Sequence, residues 1–281
     1  MKRLVAATLL LAACGPEGRT NSGVDGGGPG VDGSVTPDGT TTEASRVYAH
    51  SENGLYRLNA LTLAASSIGV MAGLPGDLLD LAVDQNDRIV GITRDALFEI
   101  DSTTGAATLI SDLATEAQGF TSLSFVPAAN AADPDILVAA RSDGAVFQFN
   151  EITGAATQIG SYGMVGSNAI GSSGDLFGVR GLGIFATVNI GTDSMANDYL
   201  ARIDPTSNWK ATPLAQSTGF NKVFGLGFWG GKIYGFVDDG FDASTGQVIQ
   251  IDQVTGVGTQ LSSSAVRWFG AGVATDAPIL Q

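Results

Sequence analysis

The chain carries one short pattern five times, and copies of a unit too small to bury its own apolar face must fold by packing against one another. The copies are Leu55–Gly69 (LYRLNALTLAASSIG), Leu97–Ser111 (LFEIDSTTGAATLIS), Val146–Gly160 (VFQFNEITGAATQIG), Leu200–Ala215 (LARIDPTSNWKATPLA) and Val248–Ser262 (VIQIDQVTGVGTQLS). Each reads as an alternating strand, a short turn and a second strand. Asn59, Asp101, Asn150, Asp204 and Asp252 share one place in the turn, followed three residues later by Thr62, Thr104, Thr153, Ser207 and Thr255. An Asx side chain there caps the backbone amides of the turn. Gly105, Gly154 and Gly256, with Asn208 in the fourth copy, supply the residue that tolerates positive φ and closes the hairpin. Recurring at one position of every hairpin, these Asx residues read as structural and not as metal ligands.

The Asx positions lie 42, 49, 54 and 48 residues apart. That is near the length of a four-stranded propeller blade and too long for one coil of a parallel β-helix. Two more strand-like runs precede each later hairpin: Leu78–Asp84 with Arg88–Thr93, Phe120–Val126 with Ile136–Ala140, Ser167–Gly171 with Leu176–Arg180, and Val223–Trp229 with Lys232–Val237. Before the first hairpin stands one run, Arg46–His50, and after the fifth a lone first-strand analogue, Trp268–Ala274. Three strands from the amino end and one from the carboxyl end complete a blade and hide the sheet edges. The expectation is an all-β, five-bladed β-propeller closed by a C-terminal strand that completes the N-terminal blade. Six blades are the alternative, if Gly181–Asn197 forms strands of its own. The 39 glycines and the low charged fraction of 15% suit strands joined by turns.

A net charge of −14, with no Lys/Arg cluster beyond Arg3, excludes the basic stripe that nucleic-acid binding requires. Residues 1–13 read as a signal peptide, with Lys2 and Arg3 ahead of an apolar run too short to span a bilayer. Leu11-Ala12-Ala13-Cys14 resembles the bacterial lipobox. The resemblance implies cleavage before Cys14, acylation of that cysteine and a lipid-anchored place in the cell envelope. Gly15 in the following position resembles lipoproteins sent on to the outer membrane, facing periplasm or cell surface. Cys14 is the only cysteine, so no intramolecular disulfide forms and acylation leaves no catalytic thiol. Residues 14–45 read as the lipidated cysteine and a Gly/Pro/Thr/Asp linker that cannot bury enough apolar surface to fold. As coil it spans roughly 30 Å. Residues 46–281 are the propeller domain.

The hairpins resemble the consensus L-Y/F-x-I-D-x-x-T-G-x-x-T-x-I-G of secreted bacterial β-propeller proteins, lipoproteins among them. The resemblance covers roughly residues 46–276 and implies the fold, not an activity, because propellers host lectins, hydrolases, dehydrogenases and passive scaffolds alike.

Chemistry-bearing residues are few. His50 is the only histidine, which leaves no histidine-based zinc site, and no G-x-S-x-G elbow accompanies it. It reads as a loop-end residue. Asp80 interrupts the apolar run Leu78–Val83 and points toward the central channel, with Ser122, Asn168 and Gly225 at the matching places of other blades. On that alignment no second inner carboxylate is present for the acid and base pair of a glycosidase. Asp238, Asp239 and Asp242 form a loop able to take calcium, and Asp84-Gln85-Asn86-Asp87 a second oxygen-rich loop, though neither has EF-hand spacing. Trp229 and Trp268 read as core. Trp209, in the fourth hairpin turn, reads as exposed and as the candidate for contact with a protein or glycan partner.

No catalytic set converges and no cofactor is called for beyond that calcium. The reading is a membrane-anchored, non-catalytic binding module for a protein or glycan. The alternatives are a carboxylate-dependent hydrolase of glycosidase or lactonase type and an envelope scaffold.

Overall fold

The computed structural model describes residues 45–280 except 60, 114–117, 131–132, 194 and 239–244. Cys14 and the linker therefore lie outside the described residues, and the described chain falls within the compact unit Ala44–Gln281. The first blade begins with β1 (Val47–His50), β2 (Gly54–Leu58) and β3 (Ala65–Val70). The second is β4 (Asp80–Val83), β5 (Ile89–Ile92), β6 (Ala96–Ile100) and β7 (Ala107–Asp112). The third is β8 (Phe120–Val126), β9 (Ile136–Arg141), β10 (Ala145–Phe149) and β11 (Ala156–Ser161). The fourth holds the short β12 (Met164–Val165) beside β13 (Asn168–Val179), β14 (Gly183–Ile190), β15 (Tyr199–Asp204) and β16 (Lys210–Ser217). The fifth is β17 (Val223–Trp229), β18 (Lys232–Asp238), β19 (Gly246–Ile251) and β20 (Gly258–Ser264). Finally β21 (Gly270–Val273) returns to β1, with Val47 opposite Val273 and His50 opposite Gly270.

The first sheet thus runs β21-β1-β2-β3, and the protein is an all-β, five-bladed propeller closed by its last strand. The fourth blade departs from the sequence reading. Ser167–Gly171 and Leu176–Arg180, expected as two strands, are two halves of the long inner strand β13. The second strand of that blade, β14, comes from the stretch read as an insertion, so Gly181–Asn197 adds no sixth blade. Length misled here: β13 bridges a register shift between Ser172 and Leu176, which sequence alternation reads as a gap.

Inner strands lose the in-out alternation because both faces are covered. β4 (DLAV) and β5 (IVGI) are buried throughout, while the outermost β3 and β7 show exposed positions. Leucine, valine and phenylalanine fill the seams between blades. Tyr48 and Leu55 meet Leu78, Leu81 and Val83 at the first seam, and Leu97 and Val90 meet Leu123 and Phe125 at the second. Each such side chain contributes about 1.5–3 kcal/mol on leaving water.

The hairpin turns form as the repeats predict. Oδ1 of Asn59, Asp101, Asn150 and Asp252 accepts two turn amides each, for example Thr103 N at 2.9 Å and Thr104 N at 2.8 Å on Asp101. Gly105, Gly154, Gly256 and Asn208 all have positive φ, and the first copy puts Leu63 there instead. The turns also join blades. Ser111 Oγ of the second blade donates to Thr153 O of the third hairpin at 2.8 Å, and Gln216 N of the fourth to Thr255 O of the fifth at 3.1 Å. The repeated turn is thus the clasp between neighbouring blades as well as the end of its own hairpin.

Candidate functional site

Each blade brings one inner-strand residue to the same level of the central axis, just before a Leu or Ala. These are Asp80, Ser122, Asp175, Gly225 and Gly270, preceding Leu81, Leu123, Leu176, Leu226 and Ala271. The expected place of Asn168 is taken by Asp175, so a second inner carboxylate does exist. Asp80 and Asp175 are both fully buried. Asp80 Oδ1 accepts Leu81 N at 2.9 Å, Oδ2 accepts Leu123 N at 2.7 Å, and the Ala271 amide is a further partner. Asp175 Oδ1 accepts Leu176 N and Oδ2 accepts Leu226 N, each at 2.6 Å. The two carboxyls also hydrogen-bond each other.

Burial holds both acids well above the ordinary carboxylate range, and the Asp80 charge raises Asp175 further. Asp80, with more amides aimed at it, keeps the charge while Asp175 keeps the proton and donates it across the axis. Two acids so tie the inner strands of all five blades together. Every oxygen is engaged and neither side chain reaches solvent.

His50 is fully buried beside this ring. Its Nδ1 donates to Ser51 O at 2.9 Å, while Nε2 has no partner. Burial lowers its pKa to about 4, so the ring is neutral at pH 7. Nε2 and Asp80 Oδ1 both press on the Gly270 Cα, where a side chain would overlap them. His50 is therefore an interior residue at the closure seam and not a loop-end one. Asp198 is also buried, its Oδ2 accepting Val223 N at 2.8 Å, and burial raises its pKa to about 7.

Trp209 is only 6% exposed, which overturns its reading as a surface contact. It adopts positive φ directly after Asn208 and turns its ring onto Gly160 of the preceding blade, where the absent Cβ makes room. Trp268 is fully buried, edge-on to Tyr56 at 5.3 Å and to Phe236 at 5.5 Å. Asp238 is buried with both oxygens bound by Arg267 at 2.9 Å, and Lys222 Nζ lies 3.8 Å away. Asp239 and Asp242 lie outside the described residues. Asp84 Oδ1 caps its own loop through Asn86 N and Arg88 N, and Asp87 pairs with Arg46 at 2.6 Å. Among the described residues no group of three His, Cys, Asp or Glu is placed to hold a metal.

What sequence reasoning missed is a cavity of about 700 Å³ at the end of the ring where the inner strands begin. It is walled by Ser172 and Ser173 of β13, Asn189 of β14, the Ser142–Asp143 turn of the third blade, and Lys222 and Phe224 of the fifth. Ser172 Oγ and Asn189 Oδ1 are buried without a hydrogen-bond partner, and the Ser173 hydroxyl bonds the Asp198 carboxylate. The adjacent pair Ser172-Ser173 before Gly174 was the available signal, hidden because β13 was divided there.

The architecture defines the class: a five-bladed β-propeller with a sealed acidic axis. No family model and no curated protein matches the chain. Among solved structures it is similar to a Bacteroides caccae protein of unknown function, at 12% identity over 82% of this chain and 98% of that one, with a TM-score of 0.47. It is also similar to an Agrobacterium tumefaciens protein described as a TolB, at 16% identity over 81% and 78%, with a TM-score of 0.44. A third is a Bacteroides fragilis protein described as a 6-phosphogluconolactonase, at 15% identity over 83% and 71%, with a TM-score of 0.39. At such identities none of these carries a functional argument.

Proposed function

We propose that this chain is a lipid-anchored, extracytoplasmic binding module that holds a partner without transforming it. One observation carries the reading. The inner carboxylates Asp80 and Asp175 are consumed by five backbone amides and by each other, with no solvent contact. A hydrolase needs at least one of its two acids free to meet substrate or water. Open space for a ligand lies instead in the cavity of about 700 Å³ between the third, fourth and fifth blades.

Anchoring rests on Leu11-Ala12-Ala13-Cys14, and Ser45, where the described chain enters the ring, lies at the end opposite the cavity, beside Leu58. In cells given an alkyne analogue of palmitate, the full chain is expected to carry the label and sediment with outer membrane, and Cys14→Ser to lose both. A labelled Cys14→Ser chain would remove the anchor from the proposal, and turnover of a glycoside or lactone by the full chain would remove the non-catalytic reading.

A further inference from the structure

We propose that the cavity between the third, fourth and fifth blades is a docking groove for a protein partner, receiving an extended segment that carries apolar and basic side chains. The inference rests on the binding-module reading and gives it a partner class. The longest interval between Asx positions, 54 residues, leads into the fourth hairpin. Part of that extra length forms β12, which makes the fourth sheet five-stranded where each of the others has four. Closing the ring needs no fifth strand. β12 sets Met164, 55% exposed, opposite Ala169, and Ala169 O accepts Gly191 N at 2.8 Å. Cross-strand neighbours stand on one side of a sheet, so Met164 shares a side with Ala169 and Gly191, both of which line the cavity. Met195, 73% exposed, and the half-buried Phe224 line it too. Other exposed apolar side chains, such as Leu61, Ile152 and Val254, stand singly at the hairpin tips of separate blades. Scattered residues of that kind are ordinary, whereas apolar side chains gathered around one concave surface mark a contact. The unbranched methionine side chain suits a surface that moulds itself to a partner, and β12, as the free edge of its sheet, lets an extended chain lie along it.

Charge selects the partner. Asp193 Oδ1 accepts Met195 N at 2.9 Å, which sets an exposed carboxylate beside the exposed methionine. Among the described residues no cation pairs with Asp193, whereas Asp143 on the same wall is paired with Arg141, and Lys222 lies 3.8 Å from the buried Asp238. In a protein of net charge −14 that rim repels an acidic segment and attracts a Lys or Arg. A sugar finds less here, because Ser172 Oγ and Asn189 Oδ1 are buried beneath the wall and out of its reach.

The test is a display library of short random peptides panned on the full chain, with the enriched peptides titrated by fluorescence anisotropy. Sequences combining apolar residues with Lys or Arg are expected, bound about tenfold more weakly by Met164→Ser and by Met195→Ser. Asp193→Asn, which keeps the Oδ1 acceptor for Met195 N, should weaken them about threefold and flatten the salt dependence. Ile152→Ser, at a distant hairpin tip, should change nothing, and since all four side chains are exposed the thermal midpoints should hold, which separates lost binding from lost folding. No enrichment, enrichment of acidic peptides, or retention on a glycan array in place of peptides overturns the groove's partner class. Peptides that bind the two methionine variants as tightly as the parent overturn the groove and leave the binding-module reading standing. Cleavage of an enriched peptide, seen by mass spectrometry, sinks that reading and not the groove.

Discussion

The Asp175 carboxyl donates its proton across the propeller axis to the Asp80 carboxylate, one from the fourth blade and one from the second. Through Leu123 N, Ala271 and Leu226 N the same two side chains hold the third, first and fifth blades. The axis of this molecule is a latch made of acids where a ligand channel could have been.

Breaking the latch is therefore a matter of stability. Asp175→Ala strands two buried amides and leaves the Asp80 charge without its donor, at a cost of about 3–5 kcal/mol. Asp175→Asn keeps a donor for Asp80 but loses one acceptor, at about 1–3 kcal/mol. Urea unfolding followed by tryptophan fluorescence checks the order. Equal losses in the two variants would mean that the shared proton contributes nothing.

Stability should also peak on the acid side of neutrality. The Asp80–Asp175 pair and Asp198 have raised folded pKa values, the latter about 7. Their contribution is complete below the unfolded carboxylate value near 4 and is lost as pH rises through the folded values. His50, lowered to about 4, acts oppositely, its contribution present above about 6.5 and lost as pH falls. Two groups against one leave a net release of about one proton on unfolding, so the unfolding free energy should fall by roughly 1.4 kcal/mol per pH unit between about 4.5 and 6.5. Calorimetry across that range reads the slope. His50→Gln should steepen it and Asp198→Asn flatten it, whereas a midpoint that climbs with pH would contradict the assignment.

The blade count, the closing strand and the Asx turns were legible because each is local and repeated: Asp101 does in its hairpin what Asp252 does in another. The axial latch was not. Asp175 sits after Ser172-Ser173-Gly174, where β13 shifts register, and counting alternation from Asn168 lands on the wrong residue. Yet Asp175-Leu176 repeats Asp80-Leu81, and aligning the blades on that dipeptide finds the pair. Trp209 was misplaced for a different reason. A hairpin turn is usually exposed, but the clasp between blades buries this one against Gly160, a relation between copies that no single copy contains.

Closure depends on a residue with no side chain. At Gly270 a methyl group would overlap both His50 Nε2 and Asp80 Oδ1, and its strand is the one that joins last blade to first. Gly270→Ala is expected to cost about 1–3 kcal/mol by overpacking. Gly76→Ala, with nothing within 4 Å, is expected to stay within about 0.5 kcal/mol of the parent. Similar midpoints for the two variants would show that the seam yields.

Another buried charge is Asp238. Asp238, with a side chain 1% exposed, is held by two bonds of 2.9 Å from Arg267, which also lays its guanidinium over the Phe269 ring at 4.9 Å. Arg267 itself is 38% exposed, so solvent screens part of the attraction and the whole buried-pair penalty does not apply. Arg267→Ala leaves Asp238 with Lys222 as its nearest cation, which implies a loss of about 2 kcal/mol. Replacing both partners, in Arg267→Ala with Asp238→Ala, removes the stranded charge and should recover part of that loss, a coupling that a double-mutant cycle in urea measures. Additive losses would show that the two side chains stabilise the fold independently, with Asp238 held by its other neighbours and not by Arg267.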